Sequence, residues 1–131
     1  MFFTIDPSGG LPIYEQVVRQ IKFAVASQVI KAGELVPSVR EVARRLAINP
    51  NTVARAYRQL QADGVLEAVR GTGLQTTGDA LELCLRERLH LIRRRLREVL
   101  TEARQSRLDE NEIRRLVESE LLATEKEKVR S

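Results

Sequence analysis

The chain has 131 residues, which is the length of one domain or of one small domain with an appendage. Hydrophobic residues make up 43% of it, which excludes wholesale disorder, and aromatic residues make up only 4%, so we expect an aliphatic core. The formal net charge of +4 permits nucleic acid or another anionic surface as a partner without proving either.

The cysteine and histidine content excludes two kinds of site. Cys84 is the single cysteine, so the chain has no internal disulfide, and with His90 as the single histidine a Cys/His zinc site is excluded. We expect neither a metal nor a cofactor. No apolar run approaches the ~18 residues that span a bilayer, and residues 1–6 do not resemble a signal peptide. We therefore expect a cytoplasmic protein with no membrane partner.

The N-terminal part of the chain predicts two helices. After segment 6–12, which is rich in proline and glycine, apolar residues recur at helical spacing and predict a first helix that Gly33 ends. Ser38 is a good N-cap for a second helix, and Glu41, three residues later, completes a capping box.

A third helix and a hairpin follow. Asn49 and Pro50 predict the start of the helix, because asparagine is a good N-cap and proline is favoured at the first helical position. Two short β-compatible runs, 65–69 and 74–77, then flank a glycine-containing turn at 70–73 and predict a β-hairpin. Two short helices joined by a tight connection and followed by a hairpin are the pattern of a winged helix-turn-helix domain.

The composition changes after Gly78, beyond which neither glycine nor proline occurs. Asp79 with Glu82 predicts a capping box at the start of a long helix, and Asp109 with Glu112 predicts one at the start of a shorter helix, whose tail from Thr124 we expect to fray. From Leu89 onward the apolar residues of the long helix follow at alternating steps of three and four, which is the pattern of a heptad seam. We predict that a seam of five residues mediates dimerisation: Leu85, Leu89, Ile92, Leu96 and Val99.

This boundary defines the predicted domain organisation. Residues 1–78 are assigned to a winged helix-turn-helix DNA-binding domain and residues 79–131 to an α-helical dimerisation region, so the fold class is mainly α with a small β-hairpin. Two helices with apolar stripes cannot close a core alone and must pack on the N-terminal domain, on a second copy or on both. A homodimer is the economical solution.

The third helix has one apolar face and one polar face. The apolar residues, at spacing i, i+4, i+7, are Val53, Tyr57 and Leu60. The polar residues, at the same spacing and about 200° away, are Asn51, Arg55 and Arg58. Arginine can bind guanine and asparagine can bind adenine through two hydrogen bonds each, and the N-terminal end of this helix enters the major groove in helix-turn-helix proteins.

A polar face alone is what any exposed helix shows, so the charge distribution is the stronger observation. Residues 38–63 contain five arginines and two acids, whereas residues 79–131 contain 13 basic and 12 acidic residues. The positive excess is concentrated in the predicted helix-turn-helix, as a phosphate-binding surface requires.

Four segments, in order and at matching separations, resemble the DNA-binding domain of the GntR family of bacterial transcription regulators. They are 37–43, 49–57, 63–64 and 70–73. The match covers roughly residues 11–78. Segment 49–57 and the very short C-terminal part are similar to the YtrA-type subgroup, which implies a small helical dimerisation region without the large effector-binding domain of other members.

The resemblance implies roles for individual residues. Arg40 would contact DNA from the second helix, the recognition helix would carry Asn51, Thr52 and Arg55, and Arg70 and Gly71 would lie at the wing tip near the minor groove. The complete set of predicted DNA-binding residues is Ser38, Arg40, Arg44, Arg45, Asn49, Asn51, Thr52, Arg55, Arg58, Arg70, Gly71 and Thr72. The chain departs from the family pattern at Ala54, where many members carry arginine, and at Leu74, where the wing strand lacks the usual Gly-Thr-Phe.

We therefore predict a sequence-specific DNA-binding transcription regulator, a repressor that binds a two-fold-related operator in double-stranded DNA as a homodimer. The alternative is a winged-helix module that binds another protein. The polar face of the third helix argues against it, because a protein-binding face carries exposed apolar anchors. We find no enzyme signature, and the sequence leaves open whether a small-molecule effector exists.

Overall fold

The computed structural model of the protein describes residues 5–130. Within them the chain forms five helices and one β-hairpin, which confirms the mainly α fold. In chain order the elements are α1 (Ile13–Ala26), α2 (Val39–Leu46), α3 (Pro50–Ala62), β1 (Leu66–Val69), β2 (Gly73–Thr76), α4 (Ala80–Gln105) and α5 (Glu110–Arg130). The expectation that the N-terminal residues are not a signal peptide falls partly on residues 1–4, which lie outside the described residues.

Helix α1 ends well before Gly33, so the prediction that this glycine ends the helix is wrong. Gln28 takes a left-handed φ of 60°, and the N–H of Val29 donates to the Ala24 carbonyl at 2.8 Å, which closes the helix end without a glycine. Gly33 itself has a φ of 76°, and its N–H donates to the Thr76 carbonyl at 3.1 Å. The glycine therefore joins the segment after α1 to the wing.

The predicted N-caps of α2 and α3 are confirmed. The Oγ of Ser38 accepts from the N–H of Glu41 at 3.1 Å, and the Oδ1 of Asn49 accepts from the N–H of Asn51 at 2.8 Å. The capping box at Ser38 is only half formed, because the Glu41 carboxylate accepts from Arg45 Nη2 at 3.0 Å instead. An ion pair one turn further along the helix competes successfully for that carboxylate.

The hairpin forms the wing. Strands β1 and β2 pair antiparallel, with Ala68 opposite Leu74, and Leu35 adds an isolated bridge to Gln75. The buried Thr76 fixes this edge, because its hydroxyl donates to the Lys31 carbonyl at 2.6 Å. The polar second strand is thus held by hydrogen bonds to the segment before α2 as well as by its ladder with β1.

An aliphatic core holds α1, α2, α3 and the wing together, as the composition predicts. Its fully buried side chains include Val17 and Ile21 of α1, Val42 of α2, and Val53 and Leu60 of α3. The first turns of α4 complete it through two further buried residues, Ala80 and Cys84. The chain divides into two compact units, one ending at Leu89 and one beginning at His90, so the start of α4 belongs structurally to the first unit.

A single tyrosine hydroxyl fixes the approach to α2. The Tyr57 hydroxyl donates to the Pro37 carbonyl at 2.6 Å, and burial of the ring, with Glu41 nearby, raises the pKa of this phenol above its ordinary value. The bond joins the middle of α3 to the residue that precedes the Ser38 cap.

We expect Tyr57→Phe to lower the free energy of unfolding by about 1–2 kcal/mol, because the partly buried Pro37 carbonyl loses its donor. Tyr14→Phe is the matched control, since that hydroxyl donates only to its neighbour Glu15 at 3.2 Å, and we expect a change within about 0.5 kcal/mol. Urea unfolding at one fixed protein concentration measures both. Equal effects of the two substitutions would contradict the structural role of the Tyr57 bond.

Lys22 forms a three-element ion cluster within the first unit. Its Nζ lies 2.8 Å from Asp63, just after α3, and 3.0 Å from Glu87 on α4. Burial by itself lowers the pKa of Lys22, but the hydrogen bonds with the two carboxylates outweigh it, so that the pKa lies above its usual value. The cluster ties α1 to the end of α3 and to α4.

The second unit contains the rest of α4 and all of α5. The predicted capping box at the start of α5 is formed, because the N–H of Glu112 donates to Asp109 Oδ1 at 2.8 Å and the N–H of Asp109 donates back to Glu112 Oε1 at 3.5 Å. The tail expected to fray from Thr124 is helical to Arg130, so that prediction is wrong. Lysine and glutamate are good helix formers, and their alternation allows the helix to continue.

The five predicted seam residues of α4 are all exposed in the single chain. Their exposed fractions are 48% for Leu85, 56% for Leu89, 49% for Ile92, 52% for Leu96 and 60% for Val99. Helix α5 adds further exposed aliphatic residues, among them Leu116, Leu121 and Leu122. Both helices therefore present aliphatic surface that the chain by itself does not cover.

Candidate nucleic-acid interface

Helix α3 separates its faces as its periodicity predicts. Val53, Tyr57 and Leu60 are buried in the core, together with Ala56. Asn51, Arg55 and Arg58 are exposed, and Thr52 is half-buried. No acidic residue occupies the first turn, so the positive end of the helix dipole is left for an external anion such as a phosphate.

Asn49 and Asn51, two predicted DNA-binding residues at the start of α3, differ in their side-chain hydrogen bonds. Asn49 uses its side-chain oxygen to cap the helix, by accepting from the backbone N–H of Asn51. The Asn51 side chain is exposed on the polar face, and within residues 5–130 its amide has no hydrogen-bond partner. The donor and acceptor that an adenine edge needs are therefore available on Asn51.

The Arg55 guanidinium rests on an aromatic ring. Its central carbon lies 3.8 Å from the centroid of Tyr14, a half-buried residue in the first turn of α1. Sequence reasoning missed Tyr14, because nothing in the periodicity of α1 indicates which residue of α3 its ring will meet. Only the packing of α1 on α3 brings the two side chains together.

The arginines of α2 are in different environments. Arg45 is paired with Glu41 on its own helix at 3.0 Å, whereas Arg40 and Arg44 are exposed and form no ion pair with any residue in the described part of the chain. Two acids near this part of the chain, Asp63 and Glu34, are engaged by other groups. Asp63 is bound by Lys22 at 2.8 Å, and Glu34 accepts from the backbone N–H of Lys31 at 2.7 Å. The arrangement leaves Arg40 available to a ligand.

The wing tip is a tight turn whose residues are all exposed. Gly71 has a φ of 79° and Gly73 a φ of 120°, a conformation that costs other residues free energy. The N–H of Thr72 donates to the Val69 carbonyl at 3.0 Å, and its hydroxyl donates to the Arg70 carbonyl at 3.3 Å. These bonds engage the backbone and the threonine but leave the Arg70 side chain without a partner among residues 5–130.

The described residues contain neither an ionised thiol at Cys84 nor a cluster of metal ligands. Cys84 is buried, and burial, with the nearby Glu87 carboxylate, raises the pKa of its thiol to about 11, so the thiol is neutral at pH 7. In the described part of the chain, no three His, Cys, Asp or Glu residues are grouped to hold a metal ion. No described helix is both long and apolar enough to cross a bilayer.

Comparison with known proteins gives one family model and several relatives. The model described as "Bacterial regulatory proteins, gntR family" matches residues 13–75. The HTH-type transcriptional repressor YtrA of Bacillus subtilis (strain 168) is 35% identical over 99 residues, which cover 76% of this chain and 76% of that protein.

Solved structures of transcription regulators are similar to this chain over most of its length. A transcriptional regulator from Oenococcus oeni superposes with a TM-score of 0.79 at 33% identity, and the match covers 92% of this chain and 99% of that one. YtrA from Sulfolobus acidocaldarius, a GntR-family transcription factor, superposes with a TM-score of 0.58 at 30% identity over 73% of this chain and 97% of its own.

Proposed function

We propose that this chain, which belongs to the GntR family of bacterial regulatory proteins, represses transcription by binding a two-fold-related operator as a homodimer. The family resemblance found in the sequence is confirmed by the matched family and by the similarity to the YtrA repressor. The chain is accordingly a DNA-binding transcription regulator with a winged helix-turn-helix domain. The proposal adds three points: which residues contact DNA, that the chain forms a homodimer, and that it represses transcription.

One observation carries the assignment of the DNA-binding surface: the polar face of α3. Asn51 and Arg58 are exposed there without side-chain partners among the described residues, and Arg55 is exposed between them. Placed in the major groove, this face offers asparagine for adenine and arginine for guanine. Arg40 and Arg44 of α2 would then bind phosphates, and Arg70, with Gly71 and Thr72, would approach the minor groove from the wing.

The proposed dimer rests on the exposed aliphatic residues of α4. A row of leucine, isoleucine and valine at heptad spacing, each about half exposed, is the surface that a second copy of the same helix covers in a symmetric interface. Two copies would place two recognition helices on one face of the DNA, with half-sites separated by about one helical turn or a multiple of it.

Repression would follow from occupation of the operator by the dimer. A dimer seated on two half-sites across a promoter excludes polymerase without any chemical step, so the proposal requires neither cofactor nor metal. We place this activity in the cytoplasm, where the chromosome of a bacterium lies. No groups in the described residues identify an effector, and the proposal includes none.

Selection from a random duplex library with the purified full chain tests the function. We expect enrichment of a two-fold-related sequence, and an affinity for it that falls steeply with salt, since each neutralised phosphate contributes about −0.9 to the slope of log K against log salt. Binding to no duplex, or binding without salt dependence, would contradict the proposal and favour a winged-helix module that binds another protein.

We expect Arg40→Ala to lower operator affinity by about tenfold or more at near-physiological salt, because a charge-assisted contact to phosphate is lost. The Tm should stay within about 3 °C, since Arg40 has no partner in the described chain to lose. Arg114→Ala on α5 removes the same charge far along the sequence and should change affinity less than about twofold. Fluorescence anisotropy titration measures both. Unchanged affinity of the Arg40 variant would refute its role.

A further inference from the structure

The contact between Tyr14 and Arg55 joins α1 to the recognition face of α3. A separation of 3.8 Å between the guanidinium carbon and the ring centroid is stacking distance. Bidentate recognition of guanine uses the N–H donors in the plane of the guanidinium. Stacking and base recognition therefore use different parts of Arg55, and one contact does not exclude the other.

The ring of Tyr14 is itself fixed. It is half-buried and packs against the aliphatic core, so its position is set by the same residues that hold α1 on α3. Arg58, on the same face as Arg55, lies on no aromatic ring in the described part of the chain. Of these two arginines, only Arg55 is oriented before any ligand arrives.

We propose that Tyr14 is a positioning residue for base recognition, whose core-anchored ring holds the Arg55 guanidinium by its face and leaves the in-plane donors free for guanine. The inference rests on the proposed function, because it assigns Tyr14 a part in the same DNA-binding site. Holding a long side chain in the free protein removes part of the ordering cost that binding otherwise carries. The effect should therefore be concentrated at the base pair that Arg55 recognises.

The experiment uses the full chain and the duplex enriched by selection with the wild type. Tyr14→Leu should lower affinity for that duplex about three- to fivefold and relax preference at the same base pair as Arg55→Ala. Tyr14→Phe keeps the ring and should bind like the wild type. In an Arg55→Ala background, Tyr14→Leu should change affinity less than about 1.5-fold, because the residue it positions is absent.

Two results would overturn the inference. One is an equal loss of duplex affinity from Tyr14→Leu in the wild-type and Arg55→Ala backgrounds, which would mean that Tyr14 acts on DNA by itself. The other is an unchanged duplex affinity of Tyr14→Leu in the wild-type background. If the wild type selects no duplex, the proposed function fails instead, and the two failures are distinguishable.

A measurement without DNA keeps the inference testable where Tyr14→Leu is poorly folded. The protons on Cδ of Arg55 should show an upfield ring-current shift in the wild type and in Tyr14→Phe. Tyr14→His, with a smaller ring, should reduce that shift together with operator affinity. Absence of the shift in the wild-type protein would contradict the stacked arrangement.

Discussion

Ile92→Asp is expected to produce a monomer at micromolar concentration. Ile92 lies at the centre of the exposed aliphatic row on α4, and a second copy packed there would bury its side chain. A carboxylate in that position would be desolvated without a partner, which costs several kcal/mol per protomer. Sedimentation equilibrium measures the change directly, and a wild type that is monomeric at micromolar concentration would refute the proposed interface.

The same substitution should leave the individual fold intact. Ile92 is 49% exposed in the single chain, so the carboxylate remains in water and the cost to the fold is about 0.5–1 kcal/mol. Val29→Asp is a matched control, because Val29 is 52% exposed but lies in the turn after α1. We expect that variant to remain a dimer. Loss of the dimer in both variants would mean that any added charge disrupts it.

Loss of the dimer should also be visible in DNA binding. A monomer engages one half-site, whereas a dimer gains the second contact at high effective concentration, so operator affinity should fall at least about 100-fold. Binding to an isolated half-site should be nearly unchanged. An operator affinity unaffected by Ile92→Asp would show that dimerisation through α4 is not needed for recognition.

Arg55→Ala should lower affinity for the selected operator by about 1–3 kcal/mol and relax preference at one base pair in each half-site. The expected loss comes from the two in-plane hydrogen bonds to guanine, which an alanine side chain cannot form. A repeat of the library selection with the variant measures it. Unchanged preference would mean that the recognition face is assigned wrongly.

Arg44→Ala is the contrast for this experiment. Arg44 is exposed on α2 and, unlike Arg45, forms no ion pair with the described residues, so we expect it to bind phosphate. The variant should weaken binding to all sequences alike, keep the base preference, and reduce the salt slope by about 1. The two arginine variants remove the same charge, so any difference in preference reports base contact.

Local signals in the sequence determined the helix-turn-helix and the composition of its outer face. Asn49 and Ser38 cap their helices because a short polar side chain reaches backbone donors two or three residues away, a distance that sequence spacing alone defines. The separation of Asn51 and Arg58 from Leu60 follows from the helical period in the same way. The residue types of the candidate site were therefore predictable before any packing was known.

Only the tertiary structure decided which distant groups meet. The stacking of Arg55 on Tyr14 and the burial of Cys84 against the core of the first unit each depend on residues far apart in sequence. Within α2 the sequence offered Glu41 two local partners, and the structure shows which one it takes: its carboxylate accepts from Arg45 instead of closing the capping box at Ser38. Periodicity fixes which face of a helix is apolar, but it carries no information on the neighbour against which that face will pack.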